Sequence, residues 1–395
     1  MYRFWVIIVV FSLSACQQEQ ADNGFYLDST AFLTQYTDNL LLPAMAGFSS
    51  SANQLTQDIR TYCDNPSVAN RNQAQAQWIA TAKQWQKLEL MQVGPIAAND
   101  FLLRSRIWSY SDTQKVNQCL IDQSTLNLAE NNALELDLLT ANQVGLTAIE
   151  YLLFTNNEVF NCNQANTDEL TAWDRLTPEI ARCDHAEILS QSVADYAQDL
   201  HFQWIPEGQN YRAQFIQKNN AGNAIQAISD ALFYVDTQLK DLKLGVPLGL
   251  NTRCGPQACP QLVEAPFSEQ SLVLVAENLS QFRSILTGGD GYGFDDIMVA
   301  KGQSQLRDDF LMHLDEAEKA LNRSLLTVKQ QAKLLMTDTD AKNTCINAQA
   351  NPNQQSEFPL CQLHGWLKRI SDDLKTGFIA VVDLDIPQRA QSDND

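Results

Sequence analysis

Glu150 lies within "GLTAIEYLLF", residues 145–154, where it is the one charged side chain. On a 3.6-residue period Leu146, Ile149, Glu150 and Leu153 share a helix face, so the carboxylate points at whatever the leucines pack against. An acid there needs a partner, a proton or a metal ion. Glu89 repeats the pattern. Trp78, Ala82, Trp85 and Glu89 line one stripe of "AQWIATAKQWQKLELMQVGP", with Leu88 beside it, until Gly94 and Pro95 stop the helix. Glu264, Ser268, Asp295 and Asp296 also stand on or beside apolar stretches. Carboxylates converging without histidine suit a hard cation or a polar ligand rich in donors. The plainer alternative makes these residues caps and buried hydrogen-bond partners. Ser268 would cap the helix opening at "SEQSL", and Glu150 would be satisfied by Arg104, Arg106 or Tyr151. Trp78, Trp85 and Trp108 invite ligand stacking, but at helical spacing they read as core.

Only four histidines occur: His185, His201, His313 and His364. His313 and Glu316 form H-x-x-E, yet Leu314, Asp315 and Glu318 surround them on an ordinary charged helix, so His313 reads as a surface residue. An H-E-x-x-H motif, a G-x-S-x-G elbow and a P-loop are all missing from the sequence.

The elements that must position these acids are helices. Apolar periodicity predicts them at about 28–62, 76–94, 97–108, 143–154, 184–204, 210–243, 268–287, 303–335 and 356–377. Pro, Gly and Cys loops separate them, notably "GVPLGLNTRCGPQACPQ" and "LTGGDGYG". Strands do not alternate with helices, so the expected fold is all-α, built from bundled helices. A weak echo places Glu150 five residues after Gly145 and Asp296 five after Gly291; if genuine, it makes two related bundles with a seam near residue 207.

The N-terminus supplies an address. Arg3, the apolar run "FWVIIVVFSL" and "LSAC" resemble a bacterial lipoprotein signal, which implies cleavage before Cys16 and acylation there. The alternatives are an uncut anchor helix or a signal cut elsewhere. Gln17 after Cys16 resembles the pattern directed to the outer membrane, here on its periplasmic side, in a Gram-negative envelope. The expected plan is a signal at 1–15, a tether at 16–23, one bundle at 24–207 and a second at 208–395. Formal charge is -20 and no basic patch interrupts it, which excludes nucleic acid and anionic headgroups as partners. Nine cysteines less Cys16 leave eight, enough for four disulfides in an oxidising compartment. Local pairing predicts Cys63–Cys119, Cys162–Cys183, Cys254–Cys259 and Cys345–Cys361, although spacing alone does not determine connectivity. No C-x-x-C pair suggests zinc.

Five segments, "QWIATAKQWQKLELMQVGP", "GLTAIEYLLF", "KLGVPLGL", "EAPFSEQSL" and "GYGFDDIM", occur in an order that resembles the imelysin family of exported bacterial proteins. The resemblance implies an all-helical fold of two bundles related by duplication, with a site near their interface. It also implies either an insulin-cleaving metallopeptidase or a component of iron uptake. The family signature is G-x-H-x-x-E. Gly145 and Glu150 match it, but Thr147 stands where the histidine belongs. A histidine and a glutamate three apart on one helix face can give two metal ligands, and a neutral hydroxyl replaces imidazole poorly.

The expected ligand site therefore comprises Glu89, Gly145, Thr147, Glu150, Glu264, Ser268, Asp295 and Asp296. Glu150 is the best candidate ligand for any metal ion, whether iron, zinc or calcium. The expected function is a lipid-anchored, non-catalytic binding protein linked to iron uptake, with the membrane and envelope proteins as partners. An active metallopeptidase and an envelope interaction protein without a ligand are the alternatives.

Overall fold

The computed structural model describes residues 28–111, 115–155, 158–163, 165–255 and 257–382. The expected signal, the Cys16 lipid site, the tether and the acidic tail "QSDND" lie outside the described residues. Among those described, every regular element is helical.

The chain opens with Ser29–Thr34 and a π-helical Gln35–Leu41 that run on into α1 (Leu42–Asp64). α2 (Val68–Glu89) starts earlier than its apolar stripe suggests, because the Ser67 hydroxyl accepts from Asn70 N at 3.2 Å and caps it. α3 (Ala98–Ile107) begins with Asn99, Asp100 and Phe101 in left-handed backbone. α4 (Gln118–Asn131) was not expected: its buried positions include Asp122 and Thr125, so its buried face is partly polar and apolar periodicity is weak. α5 (Gly145–Phe154) and α6 (Pro178–Trp204) follow, and α6 packs along α1 and α5.

The second half holds Ala221–Leu232, an 11-residue π segment Val235–Gly245, α7 (Ser271–Leu286), α8 (Ser304–Asn322) and α9 (Pro359–Asp373). The expected single helix at 303–335 is two. α8 ends at Asn322, and Thr327 with Gln330 forms a capping box that starts Val328–Thr337 afresh. One contiguous core, running from Phe48, Trp78 and Trp85 to Phe282, Phe310 and Leu367, joins the halves, with α7 lying against α2.

Four disulfides are present, but two expected pairings are exchanged. Cys63 bonds Cys183 and Cys119 bonds Cys162, while Cys254–Cys259 and Cys345–Cys361 are as expected. Pairing by sequence proximity failed because α1 and α6 are neighbours in space, bringing Cα63 and Cα183 to 5.5 Å across 120 residues.

Candidate ligand-binding cavity

α5 is not amphipathic in place. Every residue from Gly145 to Leu153 is buried, so the helix runs through the interior instead of offering one face to it. Its C-terminal carbonyl needs are met from α2: Arg71 Nη2 and Gln75 Nε2 donate to Leu153 O at 3.0 and 2.8 Å. Trp78 Nε1 donates to Leu146 O at 2.7 Å. Gly145 is required by sterics. Its φ is +73°, and a Cβ there would collide with the carbonyl oxygens of Arg106 and Ile107. Gly145→Ala should lower stability by at least about 2 kcal/mol, read as a fall in urea midpoint with unchanged slope.

Glu150, fully buried, finds no arginine and no tyrosine. Its Oε1 accepts from Phe267 N at 3.0 Å, Ser268 N at 2.7 Å and Ser268 Oγ at 2.7 Å. Ser268 is thus not a helix cap; α7 starts at Ser271, with Gln270 making no side-chain cap. The expected partners are engaged elsewhere. Arg104 Nε donates to Glu89 Oε2 at 2.8 Å, Arg106 donates to the carbonyls of Leu136 and Leu139, and Tyr151 donates to Asp122 at 2.7 Å. The segment that meets Glu150 is held in an unusual shape. Ala265 and Glu269 adopt positive φ of 47° and 57°, and Lys329 Nζ donates to Pro266 O at 2.7 Å.

Beside Glu150 lies a buried charge network. Lys243 Nζ reaches Glu264 Oε1 at 3.0 Å, Gln86 Oε1 at 2.6 Å and Asn278 Oδ1 at 2.8 Å, which uses all three of its donors. Trp108 Nε1 donates to Glu264 Oε1 at 3.0 Å and Trp85 Nε1 to Glu89 Oε1 at 2.6 Å. The tryptophans are core, as expected, and two of them also serve the acids. Lys243 lies over the Tyr234 ring at 5.5 Å. Burial pushes the Glu264 carboxyl up against the opposing pull of Lys243, and burial lowers the Lys243 ammonium against the pull of Glu264 and Glu89. Lys243 and Tyr234 were not foreseen; Lys243 opens the run "KLGVPLGL", where its sequence context is that of a surface lysine.

Glu150 and Glu264 line one cavity of about 100 Å³ with Thr147, Ser109, Tyr110, Val263 and Phe267. Glu150 Oε2, Glu264 Oε2 and Ser109 Oγ, on three of the lining residues, are buried out of contact with solvent and have no hydrogen-bond partner. The structure therefore places Thr147, Glu150 and Glu264 on the cavity wall and ties Ser268 to Glu150, while Glu89 lies behind Glu264 in the charge network and Gly145 packs against the 106–107 backbone. Asp295 and Asp296 do not join them. They open the helix Phe294–Ala300, where Asp296 Oδ2 accepts from Gly293 N at 3.0 Å, and that helix packs on α7, α8 and Ile379–Val382. Their likeness to the Glu150 segment ends at the sequence, since Glu150 is mid-helix and Asp296 is a cap. A wider groove of about 790 Å³ between α1, α4 and α6 holds Arg60, Asp184, Glu187 and Tyr196. None of its lining residues carries a buried, unpartnered polar atom, so the smaller cavity is the better candidate site.

No histidine lines the cavity. His313 is buried, not a surface residue, because its Nδ1 sits 2.8 Å from Asp373 Oδ2 and its ring packs on Trp366. His185 is fully buried in α6 with Nδ1 2.8 Å from Thr125 Oγ1. Among the described residues no group of three or more His, Cys, Asp or Glu is placed to hold a metal ion. The described residues do not assemble a transition-metal centre.

Two buried groups give opposite pH slopes. Burial pushes the His185 imidazole down to about 3, so below its ordinary value of 6.5 the unfolded chain takes a proton that the folded chain refuses. Stability falls as pH drops from about 6.5 to about 3, at about 1.4 kcal/mol per pH unit. Burial pushes Glu150 up to about 7, against hydrogen bonds from Ser268 and Phe267 and with Glu264 adding to the rise. Its folded state holds a proton between about 4.5 and 7, so this contribution weakens as pH rises through that window. Urea midpoints from pH 3.5 to 8 should show His185→Leu flattening the acid limb and Glu150→Gln removing the opposing one. An unchanged acid limb in His185→Leu would contradict the assignment.

An all-helical chain stapled by four disulfides defines the class. Residues 41–356 match the imelysin family profile, and the chain belongs to the imelysin family. It is similar to iron-regulated protein A of Synechococcus elongatus, at 23% identity over 248 residues, 60% of this chain and 58% of that one. The chain thus spans less than two thirds of that relative's length. The crystal structure of an imelysin-like protein from Psychrobacter arcticum 273-4 superposes with a TM-score of 0.67 at 16% identity, covering 91% of this chain and 96% of that one. The crystal structure of a protein described as an iron-regulated protein A precursor, from Parabacteroides distasonis ATCC 8503, gives 0.62 at 14% identity, covering 88% of this chain and 95% of that one.

Proposed function

We propose that the protein is an iron-related envelope protein that binds a ligand in the Glu150–Glu264 cavity and does not hydrolyse it. The observation that carries this reading is at position 147. Thr147 is 4% exposed and lines the cavity, so the family's imidazole is replaced by a hydroxyl at the wall itself, with no other histidine brought in. What remains is a buried carboxylate with one oxygen held by the 267–268 backbone and the other without a hydrogen-bond partner. That geometry holds a ligand; it offers no metal-activated water to cut a peptide. The iron link rests on the Synechococcus relative named for iron regulation. A lipid on Cys16 would hold the chain at the outer membrane, facing the periplasm and other envelope proteins.

Incubating the signal-less protein with insulin, with and without chelator, should give no cleavage above a blank. Chelator-sensitive cleavage that disappears in Glu150→Gln would make it a peptidase. Transcript levels should rise under iron starvation, and a flat response would remove the iron link.

A further inference from the structure

The solvent side of the Glu89–Arg104 pair opens into another pocket, about 320 Å³ in volume, whose lining includes Arg104, Arg253, Thr237, Gln238, Phe101 and Tyr234. We propose that this pocket binds a small aromatic carboxylate, its carboxylate group on the arginines and its ring against Phe101 and Tyr234. The pocket shares no lining residue with the Glu150 cavity, so the proposal stands whether or not that cavity takes a ligand.

Charge sets this pocket apart. Acids outnumber lysines and arginines by 47 to 27 in the chain, yet among the described residues both charged groups on this lining are arginines, with no acid beside them. Arg104 is the anchor. Its Nε donates inward to Glu89 Oε2 at 2.8 Å, a further donor meets the Tyr234 hydroxyl, and the guanidinium lies over the Tyr234 ring at 5.9 Å. These contacts use two of the five N–H donors a guanidinium carries. Glu89 is 0% exposed, but the Arg104 side chain is 23% exposed and none of its nitrogens is buried without a partner. The remaining donors are therefore reachable from the pocket, on a fork held from behind. A planar fork of this kind takes a carboxylate through two parallel hydrogen bonds, which a lysine does not.

The rest of the lining fits an organic body better than a bare ion. Phe101 is 37% exposed and ends a run of three left-handed residues, Asn99, Asp100 and Phe101, with φ of 52°, 53° and 60°. Such backbone costs on the order of 1–3 kcal/mol per non-glycine residue, and here it sets an apolar ring on the pocket wall. Thr237 and Gln238, both half-buried, offer a hydroxyl and an amide to a polar substituent. At roughly 30 Å³ per water-sized group, 320 Å³ holds on the order of ten, the size of a carboxylate bearing one ring. A cation would meet arginines and no acid. Phosphate suits the fork but brings a second charge, and Glu89 behind Arg104 offsets part of the positive field, so one negative charge is favoured over two.

The test is ligand-observed NMR titration of the signal-less chain with benzoate at neutral pH and low salt, with acetate, inorganic phosphate and benzylammonium as competitors. The expected result is saturable one-site binding of benzoate, about tenfold tighter than acetate or phosphate, with no displacement by benzylammonium. Arg104→Lys, which keeps the charge and loses the fork, should weaken benzoate about tenfold. Arg253→Gln, at an exposed position, should weaken it by a similar factor with the thermal midpoint kept. Phe101→Gly suits the left-handed backbone and so spares the fold; it should weaken benzoate severalfold and leave acetate unchanged. Absence of saturable benzoate binding, or benzoate binding that neither arginine variant weakens, would overturn the proposal. Displacement by benzylammonium would overturn the charge assignment, and phosphate binding tighter than benzoate would overturn the ligand class.

Discussion

Lys243→Met is expected to destabilise the protein by about 3–5 kcal/mol, because it leaves Glu264 as an uncompensated charge in the interior. Lys243 and Glu264 are each 1% exposed and 3.0 Å apart, and Glu89 adds a second acid to the same neighbourhood. Gln86 and Asn278 would also lose their shared donor. The deficit has a pH signature. Without the ammonium, Glu264 rises further above its ordinary carboxyl range, so the folded variant takes up a proton as pH falls. Its loss should be greatest above neutral pH and shrink toward pH 5. Lys243→Met combined with Glu264→Leu should recover much of it, since apolar replacement of both partners of a buried pair is often neutral or better. Chemical denaturation of the two variants across pH measures this. A double variant as unstable as the single would contradict the account.

Arg182→Met should cost a similar amount, about 3–5 kcal/mol, for the same reason in a different place. Arg182 Nη2 donates to Asp122 Oδ1 and Oδ2 at 2.8 and 2.9 Å, to Tyr151 OH at 2.9 Å and to Val159 O at 2.7 Å. Both ionic partners are inaccessible, at 1% and 0% exposure. Burial already pushes Asp122 up, with Arg182 opposing it, so losing the guanidinium strands the carboxylate. Tyr151 is the residue after Glu150 and packs edge-on to Phe267 at 5.3 Å, so the damage should reach the cavity. Arg60→Ala, which breaks the exposed Arg60–Glu187 pair, is the control and should leave the unfolding midpoint unchanged.

The halves of this design differ in how far they can be read from residues. Apolar periodicity located α5, α6 and α7 because each returns apolar side chains at three and four. It missed α4, Thr167–Arg175 and Thr339–Ala350, which bury few side chains and depend on caps such as Asn117, Asn166 and Asp338. For Glu150 the apolar surroundings were legible, and so was Glu264 on the same cavity wall, whereas Asp295 and Asp296 lie elsewhere. Its pairing was only partly legible: Ser268 stood among the candidate residues, but two of the three donors are backbone N–H groups from a loop 117 and 118 residues away, which have no side-chain signature. Lys243 was hidden for a related reason, since a lysine on a π segment that folds inward looks, in sequence, like a lysine at a helix surface. Cys63–Cys183 likewise depends on which helices neighbour each other, which spacing does not encode.

The central claim is that the hydroxyl at position 147 removes the transition-metal centre and leaves a ligand cavity. The direct measurement is the metal retained per chain after the signal-less protein is equilibrated with zinc or ferrous iron and desalted. It should be compared with Thr147→His, which restores a histidine and a glutamate three apart on α5. The account predicts almost no metal on the native sequence and close to one ion per chain on Thr147→His. One ion per chain on the native sequence, lost in Glu150→Gln, would contradict it.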